Sequence, residues 1–218
     1  MSSSLTSSAK HFILIKDTKM DAVDMIIKQD KQNGEWFEET IARQLSFYLS
    51  GEIKGAENYT DWFHAIRQAS PNDTVILHIN SVGGDLATAI QFARVMRDTE
   101  AHVVASVEGN CFSAATMIFL CAESYQISEH SSFLFHNYSG MTFGKGGEMY
   151  DNIVFERKWS EKLLRGIYAD FLTKSEIDAI LNGRDVWMGP DEVAERLKKR
   201  NEKRKTEEEK EGEEVEKE

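Results

Sequence analysis

Residues 109–122, Gly-Asn-Cys-Phe-Ser-Ala-Ala-Thr-Met-Ile-Phe-Leu-Cys-Ala, are the stretch around which the chain is organised. The run 102–107 before it is typical of a buried strand, and the stretch itself is apolar over a length that predicts about three helical turns. Ser113 stands where strand and loop give way to that helix. Because a helix start presents unpaired N–H groups and a partial positive charge, a serine fixed there can attack a carbonyl while those groups hold the oxyanion. Serine is also a favoured N-cap, so this stretch alone leaves a capping role and a catalytic role open.

Strands and helices alternate on both sides of this stretch. Residues 74–80 predict a buried strand, a turn with Gly83-Gly84 follows, and apolar residues at helical spacing continue through Arg97. This alternation implies an α/β fold with a largely parallel sheet that helices cover on both faces. The other predicted elements are strands at 47–53, 125–127 and 132–136, helices at 37–45, 62–69, 154–171 and 174–183, and a last helix from Pro190.

Length and charge bound the organisation of the chain. The 218 residues suit one globular domain, and we expect a mobile arm over 1–20, the domain over 21–197 and a charged, disordered tail over 198–218. The net charge of −11 argues against a nucleic-acid partner, and no apolar run approaches the roughly 18 residues needed to span a membrane. Cys111 and Cys121 are expected to fill core space rather than form a bridge. With no secretory signal visible, this favours a cytoplasmic location.

Serine catalysis also requires a histidine base and a carboxylate that orients it. Of six histidines, His136 closes an apolar strand, at the edge where a parallel sheet usually places functional groups. Asp185 stands between a Gly-ended helix and an apolar pair, where it is able to meet an imidazole or simply pair with Arg184. The Gly83-Gly84 turn allows close backbone approach to a ligand, although such a turn equally suits a phosphate site or plain chain reversal.

From about Val23 to Leu197 the chain resembles the proteolytic subunit of the caseinolytic (Clp) protease family. The resemblance implies a crotonase-like α/β core, a spiral of β-β-α units, with a protruding helical handle built from about residue 140 to 171. The matching motifs, in family order and at close to family spacing, are residues 47–53, Ile79-Asn-Ser-Val-Gly-Gly84, 109–122, Phe133-Leu-Phe-His136 and 183–190.

This resemblance assigns roles to the candidate residues. It implies a serine endopeptidase with Ser113 as nucleophile, His136 as general base and Asp185 as the group that orients it. The backbone N–H groups of Gly84 and Ala114 would form the oxyanion hole. An extended substrate would pair by backbone with two further segments, represented by Gly83, Asp85, Gly144 and Gly146.

The resemblance also implies the assembly. Family members form heptameric rings stacked in pairs and receive unfolded polypeptides from an AAA+ ATPase, and Arg184 is the candidate for a contact between rings. The resemblance implies neither a metal nor a cofactor. ATP would be used only by the partner ATPase.

Three other functions remain open on the sequence. A crotonase-type acyl-CoA enzyme would use two backbone N–H groups to hold a thioester enolate, but it would give Ser113, His136 and Asp185 no reason to occur together. A ring component without activity would retain the fold alone. A dedicated processing protease would keep the chemistry and cut one partner.

Overall fold

Seven strands and six α-helices alternate along residues 12–15 and 42–215, which the computed structural model describes. A short 3-10 turn at Ala56–Tyr59 precedes the first helix. In chain order the elements are β1 (Phe12–Ile15), β2 (Gln44–Ile53), α1 (Thr60–Arg67), β3 (Thr74–Gly84), α2 (Leu86–Asp98), β4 (His102–Phe112), α3 (Ala114–Phe119), β5 (Ser124–Ser128), β6 (Ser132–Phe135), α4 (Gly146–Tyr168), α5 (Lys174–Leu181), β7 (Val186–Met188) and α6 (Pro190–Val215).

The sheet has the order β1-β5-β4-β3-β2, and β6 and β7 continue it from the end of β4. Strands β2 to β6 pair in parallel, whereas β1 and β7 are antiparallel to their neighbours. Strand β4 pairs with β5 along 104–107 and with β6 along 110–112, so two strands share one long neighbour. The predicted α/β fold with a largely parallel sheet is therefore confirmed.

Period-2 burial explains why these segments form strands. Val75, Leu77 and Ile79 of β3 point into the core and are essentially unexposed, whereas the residues between them are half-buried. Helix α3 packs on β3 and β4, and α2 packs on α3. Both cysteines are free, with Cys111 buried in this core, which confirms that they do not form a bridge.

The central stretch differs from its prediction in one respect. Strand β4 continues through Phe112 and α3 covers only Ala114–Phe119, so the prediction of about three helical turns over 109–122 is wrong. The strand also continues through Gly84 on β3, where a turn was predicted. An apolar run suits a buried strand as well as a buried helix, and only pairing with β6 decides which one forms here.

The predicted helix at 37–45 is wrong at its end. Leu45 lies in β2, beside Val75 of β3, and residues 37–41 of that prediction lie outside the described residues. Apolar residues four positions apart also fit a strand with one buried face, because every second residue of a strand lies on the same face. The predicted strand at 47–53 is confirmed and is longer than expected, because β2 begins at Gln44.

Local signals located the C-terminal helices well. Thr173 and Glu176 form both hydrogen bonds of a capping box at the start of α5. Gly183 follows the end of α5 with a φ of 83°, a conformation that glycine adopts without strain. Helix α6 begins at Pro190, as predicted.

The predicted domain boundaries at both ends of the chain stay predictions. Helix α6 continues past residue 197 as far as Val215. Arg200 is buried there and donates to the carbonyl oxygen of Leu120 and the hydroxyl of Tyr125. Charge counting does not show which residues of a helix face inward. Of the predicted arm over 1–20, residues 12–15 form β1, and the remainder lies outside the described residues.

Candidate active site

Ser113 is held in an unusual backbone conformation between β4 and α3. Its φ of 56° and ψ of −127° make it the one non-glycine residue with a positive φ in the described part of the chain. Such a conformation costs on the order of 1–3 kcal/mol and persists only where the surroundings fix it. The Ser113 N–H donates to Leu134 O at 2.8 Å, and the Ser113 carbonyl accepts from the N–H of Thr116 at 2.9 Å. The Ser113 side chain makes no capping hydrogen bond, which favours the catalytic reading over the capping one.

Gly83 allows the end of β3 to lie against Ser113, and Gly84 allows it to lie against Ile53 of β2. A Cβ on Gly83 would lie 2.6 Å from the Cβ of Ser113, and one on Gly84 would lie 2.3 Å from the carbonyl oxygen of Ile53. Their φ angles of 87° and 149° are also unfavourable for other residues. The same Gly83 position is 3.1 Å from the backbone nitrogen of Ala114. The backbone of β3 therefore comes close to the first peptide of α3.

A small pocket of about 80 Å³ joins these groups to the predicted base. Ser113 and His136 follow the ends of the adjacent parallel strands β4 and β6, which places both residues at the same edge of the sheet. The walls are mostly apolar. The lining residues are Gly84, Leu86, Ser113, Ala114, Met117, His136, Asn137, Tyr138, Ser139, Ser160, Leu163 and Leu164.

Asp185 reaches the same edge but does not join the pocket lining. Strands β6 and β7 are antiparallel and end on the pair Phe135–Val186, so His136 and Asp185 directly follow and precede that pair. The Asp185 side chain is exposed. Among the described residues, no hydrogen bond joins the side chains of Ser113, His136 and Asp185. The structure thus brings Ser113 and His136 to one pocket. Asp185 lies next to the β6–β7 pair that His136 directly follows.

A family model described as Clp protease matches residues 28–196, more than three quarters of the chain. The chain belongs to the Clp protease family. This confirms the resemblance carried by the motifs. No match to this Clp-family chain was found among curated proteins. Of the helices in the described part of the chain, none combines the length and apolar character that a membrane crossing requires.

The residues predicted to pair with substrate have specific local positions in this Clp-family chain. Gly144 lies before α4 and Gly146 is its first residue, so the segment expected to pair with substrate spans the start of that helix. Asp85 caps α2 by accepting from Thr88 N at 2.7 Å, and its own N–H donates to Ile53 O. Arg184 is exposed, and its N–H donates to Ala179 O.

A second serine–histidine arrangement occurs at the opposite end of the sheet. His102 lies 3.0 Å from the Ser124 hydroxyl through Nε2 and 2.8 Å from a Glu123 carboxylate oxygen through Nδ1. Ser124 is only 3% exposed, so a polypeptide has no access to it. This group therefore acts as a structural tie between β4 and β5, and Ser124 is a useful comparison for Ser113.

Sequence reasoning missed the apolar walls of the pocket. Leu86, Met117 and Leu163 come from three different helices of the Clp-family chain. Helical periodicity marks each of them as inward-facing, but periodicity does not show that three inward faces meet at one cavity.

Proposed function

We propose that this Clp-family chain is a serine endopeptidase with Ser113 as nucleophile and His136 as general base. One observation carries the proposal. Ser113 has a strained backbone, its side chain makes no capping hydrogen bond, and it lines the same pocket as His136. A serine at a sharp strand-to-helix junction, with an imidazole in the same pocket, is an arrangement that suits acyl transfer. Contacts between catalytic groups are often loose without substrate and tighten when it binds.

In this mechanism the Ser113 oxygen attacks the peptide carbonyl while its proton passes to His136. The resulting oxyanion accepts hydrogen bonds from the N–H groups of Gly84 and Ala114, each contributing about 3 kcal/mol to transition-state stabilisation. His136 then gives its proton to the leaving amine, and the acyl-enzyme forms. Water activated by the same imidazole releases the acyl product and restores Ser113. No step requires a metal or cofactor.

Asp185 is the proposed partner of the imidazole. Its support is the β6–β7 register, which places it opposite His136 beyond the last strand pair. A carboxylate there fixes the tautomer and orientation of His136 and stabilises the imidazolium.

The pocket walls support a preference for substrates with an apolar side chain next to the scissile bond. Leu86, Met117 and Leu163 present apolar surface beside Ser113, in a cavity of about 80 Å³. A medium-sized apolar side chain on the residue before the scissile bond fits such a cavity. Main-chain pairing along the end of β3 at Gly83 would add affinity without reading side chains.

We further propose that the chain acts as a homo-oligomeric ring, in stacked pairs of heptamers, that receives unfolded polypeptides from an AAA+ ATPase in the cytoplasm. Family membership supports this, and so do large apolar side chains that are exposed on α4 and on the segment before it. Large exposed apolar side chains are typical of surfaces that bind another protein. The exposed residues, called the handle patch below, are Met141, Phe143, Tyr150, Ile153 and Phe155.

A fluorophosphonate probe tests the chemistry directly. The wild type and Ser124→Ala should be labelled at Ser113, as located by mass spectrometry of the labelled peptide, and Ser113→Ala should not be labelled. Labelling that persists in Ser113→Ala would overturn the assignment. A folded wild type that neither labels nor degrades an unfolded protein would instead indicate a non-catalytic ring component or an acyl-CoA enzyme.

A further inference from the structure

Two buried hydroxyl groups connect the end of helix α4 to the backbone of Ser113. The Tyr168 hydroxyl lies 2.7 Å from Thr116 Oγ1, and Thr116 Oγ1 lies 2.6 Å from the carbonyl oxygen of Ser113. Thr116 and Tyr168 are 0% and 1% exposed. Neither residue lines the pocket that holds Ser113 and His136.

The direction of these hydrogen bonds is fixed by the chemistry of the groups. A carbonyl oxygen only accepts, so Thr116 donates its single proton to Ser113 O, and Tyr168 donates to Thr116. Burial raises the pKa of Tyr168 far above its ordinary value, which keeps the phenol protonated as a donor. The Ser113 carbonyl therefore accepts from both the hydroxyl and the N–H of Thr116.

The anchored carbonyl belongs to the peptide that carries the Ala114 N–H. Because a peptide is planar and trans, its C=O and N–H point in opposite directions. Hydrogen bonds that fix Ser113 O therefore also fix the direction of the Ala114 N–H. They also hold the ψ angle of Ser113, the residue with the strained conformation.

Tyr168 also supports the base. Its ring packs edge-on against Phe135, with ring centroids 5.5 Å apart and an interplanar angle of 84°. Phe135 is the last residue of β6 and directly precedes His136. One side chain at the end of α4 thus supports the strand ends that bear both Ser113 and His136.

We propose that Tyr168, acting through Thr116, is a positioning residue that aims the Ala114 N–H at the oxyanion and holds Ser113 in its attacking conformation. This inference rests on the proposed peptidase function. It assigns the last turn of α4 a role in the acylation step, although that turn lies outside the pocket.

The test compares kcat and KM for peptide cleavage, the rate of fluorophosphonate labelling, and thermal unfolding. Misplacing a catalytic group by about 1 Å costs on the order of 100-fold in rate. Tyr168→Phe should lower kcat and the labelling rate by about tenfold or more, with KM within about twofold, because the pocket walls are untouched. Thr116→Val should lower kcat and the labelling rate at least as much. Thr116→Ser should keep both rates near the wild-type values, since the hydroxyl is retained.

Tyr125→Phe is the matched control. Tyr125 is equally buried, and its hydroxyl donates to Ala122 O and accepts from Arg200, but among the described residues no hydrogen bond joins it to the Ser113 peptide. Adding Tyr168→Phe to Thr116→Val should cause no further loss, because both changes break one chain of hydrogen bonds.

The inference is overturned if Tyr168→Phe matches Tyr125→Phe in kcat, if its loss lies in KM, or if Thr116→Ser is as slow as Thr116→Val. Ser113→Ala distinguishes a failure of the proposed function from a failure of this inference. Activity that survives in Ser113→Ala overturns the peptidase assignment and the inference together. An inactive Ser113→Ala beside a fully active Tyr168→Phe overturns the inference alone.

Discussion

Gly83 and Ser113 pack directly against each other: a Cβ added to Gly83 would lie 2.6 Å from the Cβ of Ser113 and 2.7 Å from the carbonyl oxygen of Phe112. A Cβ atom does not come so close to non-bonded atoms, so the end of β3 reaches the candidate nucleophile only because residue 83 is glycine. This contact brings the backbone of Gly83 close to the peptide that joins Ser113 to Ala114.

Gly83→Ala should therefore remove activity as well as stability. We expect a loss of about 1–3 kcal/mol in unfolding free energy and at least about 100-fold slower fluorophosphonate labelling, because Ser113 must shift. Gly51→Ala is the matched control, since Gly51 has a φ of 74° but nothing within 4 Å of its would-be Cβ. Gly51→Ala should lose stability and keep its labelling rate. Equal labelling in both variants would contradict the proposed contact.

Asp185→Asn should slow acylation without unfolding the protein. If Asp185 orients His136, kcat should fall by about 100- to 10,000-fold, because an amide favours the wrong imidazole tautomer. Asp191→Asn, an exposed aspartate at the start of α6, should leave kcat unchanged. The measurement is the steady-state rate on a fluorogenic peptide, with circular dichroism as the folding check. Wild-type activity in Asp185→Asn would show that His136 acts without this carboxylate.

The pocket predicts selectivity at the residue before the scissile bond. Peptides with leucine or methionine there should be cleaved at least about tenfold faster than peptides with aspartate, since an unpaired charge is costly among Leu86, Met117 and Leu163. Filling the pocket with Met117→Trp should reverse the order of preference toward glycine and alanine. Cleavage rates over a set of peptides that differ at that one position provide the measurement. A flat profile would exclude this pocket as the specificity site.

The handle patch predicts the assembly state. Fourteen chains of 24.8 kDa would give a particle of about 350 kDa. Phe155 is 67% exposed on α4, and Phe155→Glu should reduce this mass by half or more, because a buried charge opposes association. Tyr48→Glu, an exposed aromatic residue on β2, is the control. Light scattering that shows no change for Phe155→Glu would remove the patch from the interface between rings.

Acid stability should depend on Glu176. Hydrogen bonds from Arg196 lower the pKa of this carboxyl from 4.5 to about 2. Because the folded-state pKa is lowered, the stabilisation is present above about pH 4.5 and is lost as the pH falls toward 2. Allowing for partial exposure, Glu176→Gln should cost about 1–2 kcal/mol at pH 7 and flatten stability between pH 5 and 2.

The control for this prediction is Glu195→Gln. Glu195 pairs with Lys199 on the exposed side of α6, where both side chains are more than half exposed. Such a pair contributes little, so we expect a change below about 0.5 kcal/mol. Urea unfolding at a series of pH values measures both variants. A pH dependence in Glu176→Gln that equals the wild type would contradict the assignment.

The sequence by itself determined the parts that depend on local patterns and on motif order. Buried strands alternate with helices, Thr173 and Glu176 form a capping box, and Pro190 begins a helix; each follows from propensity and period within a few residues. Motif order also identified the family. Local patterns failed where one apolar run suits two structures, as at 109–122, and where charge hides an inward face, as at Arg200.

Only the tertiary structure decided what meets at the candidate site. The split of β4 between β5 and β6 brings residues 113 and 136 to one edge, and the antiparallel β7 brings Asp185 beside them. The hydroxyl chain from Tyr168 to Ser113 spans more than fifty residues of sequence. The physical reason is that strand pairing and burial are long-range interactions, whereas a sequence pattern records only each residue's local preference.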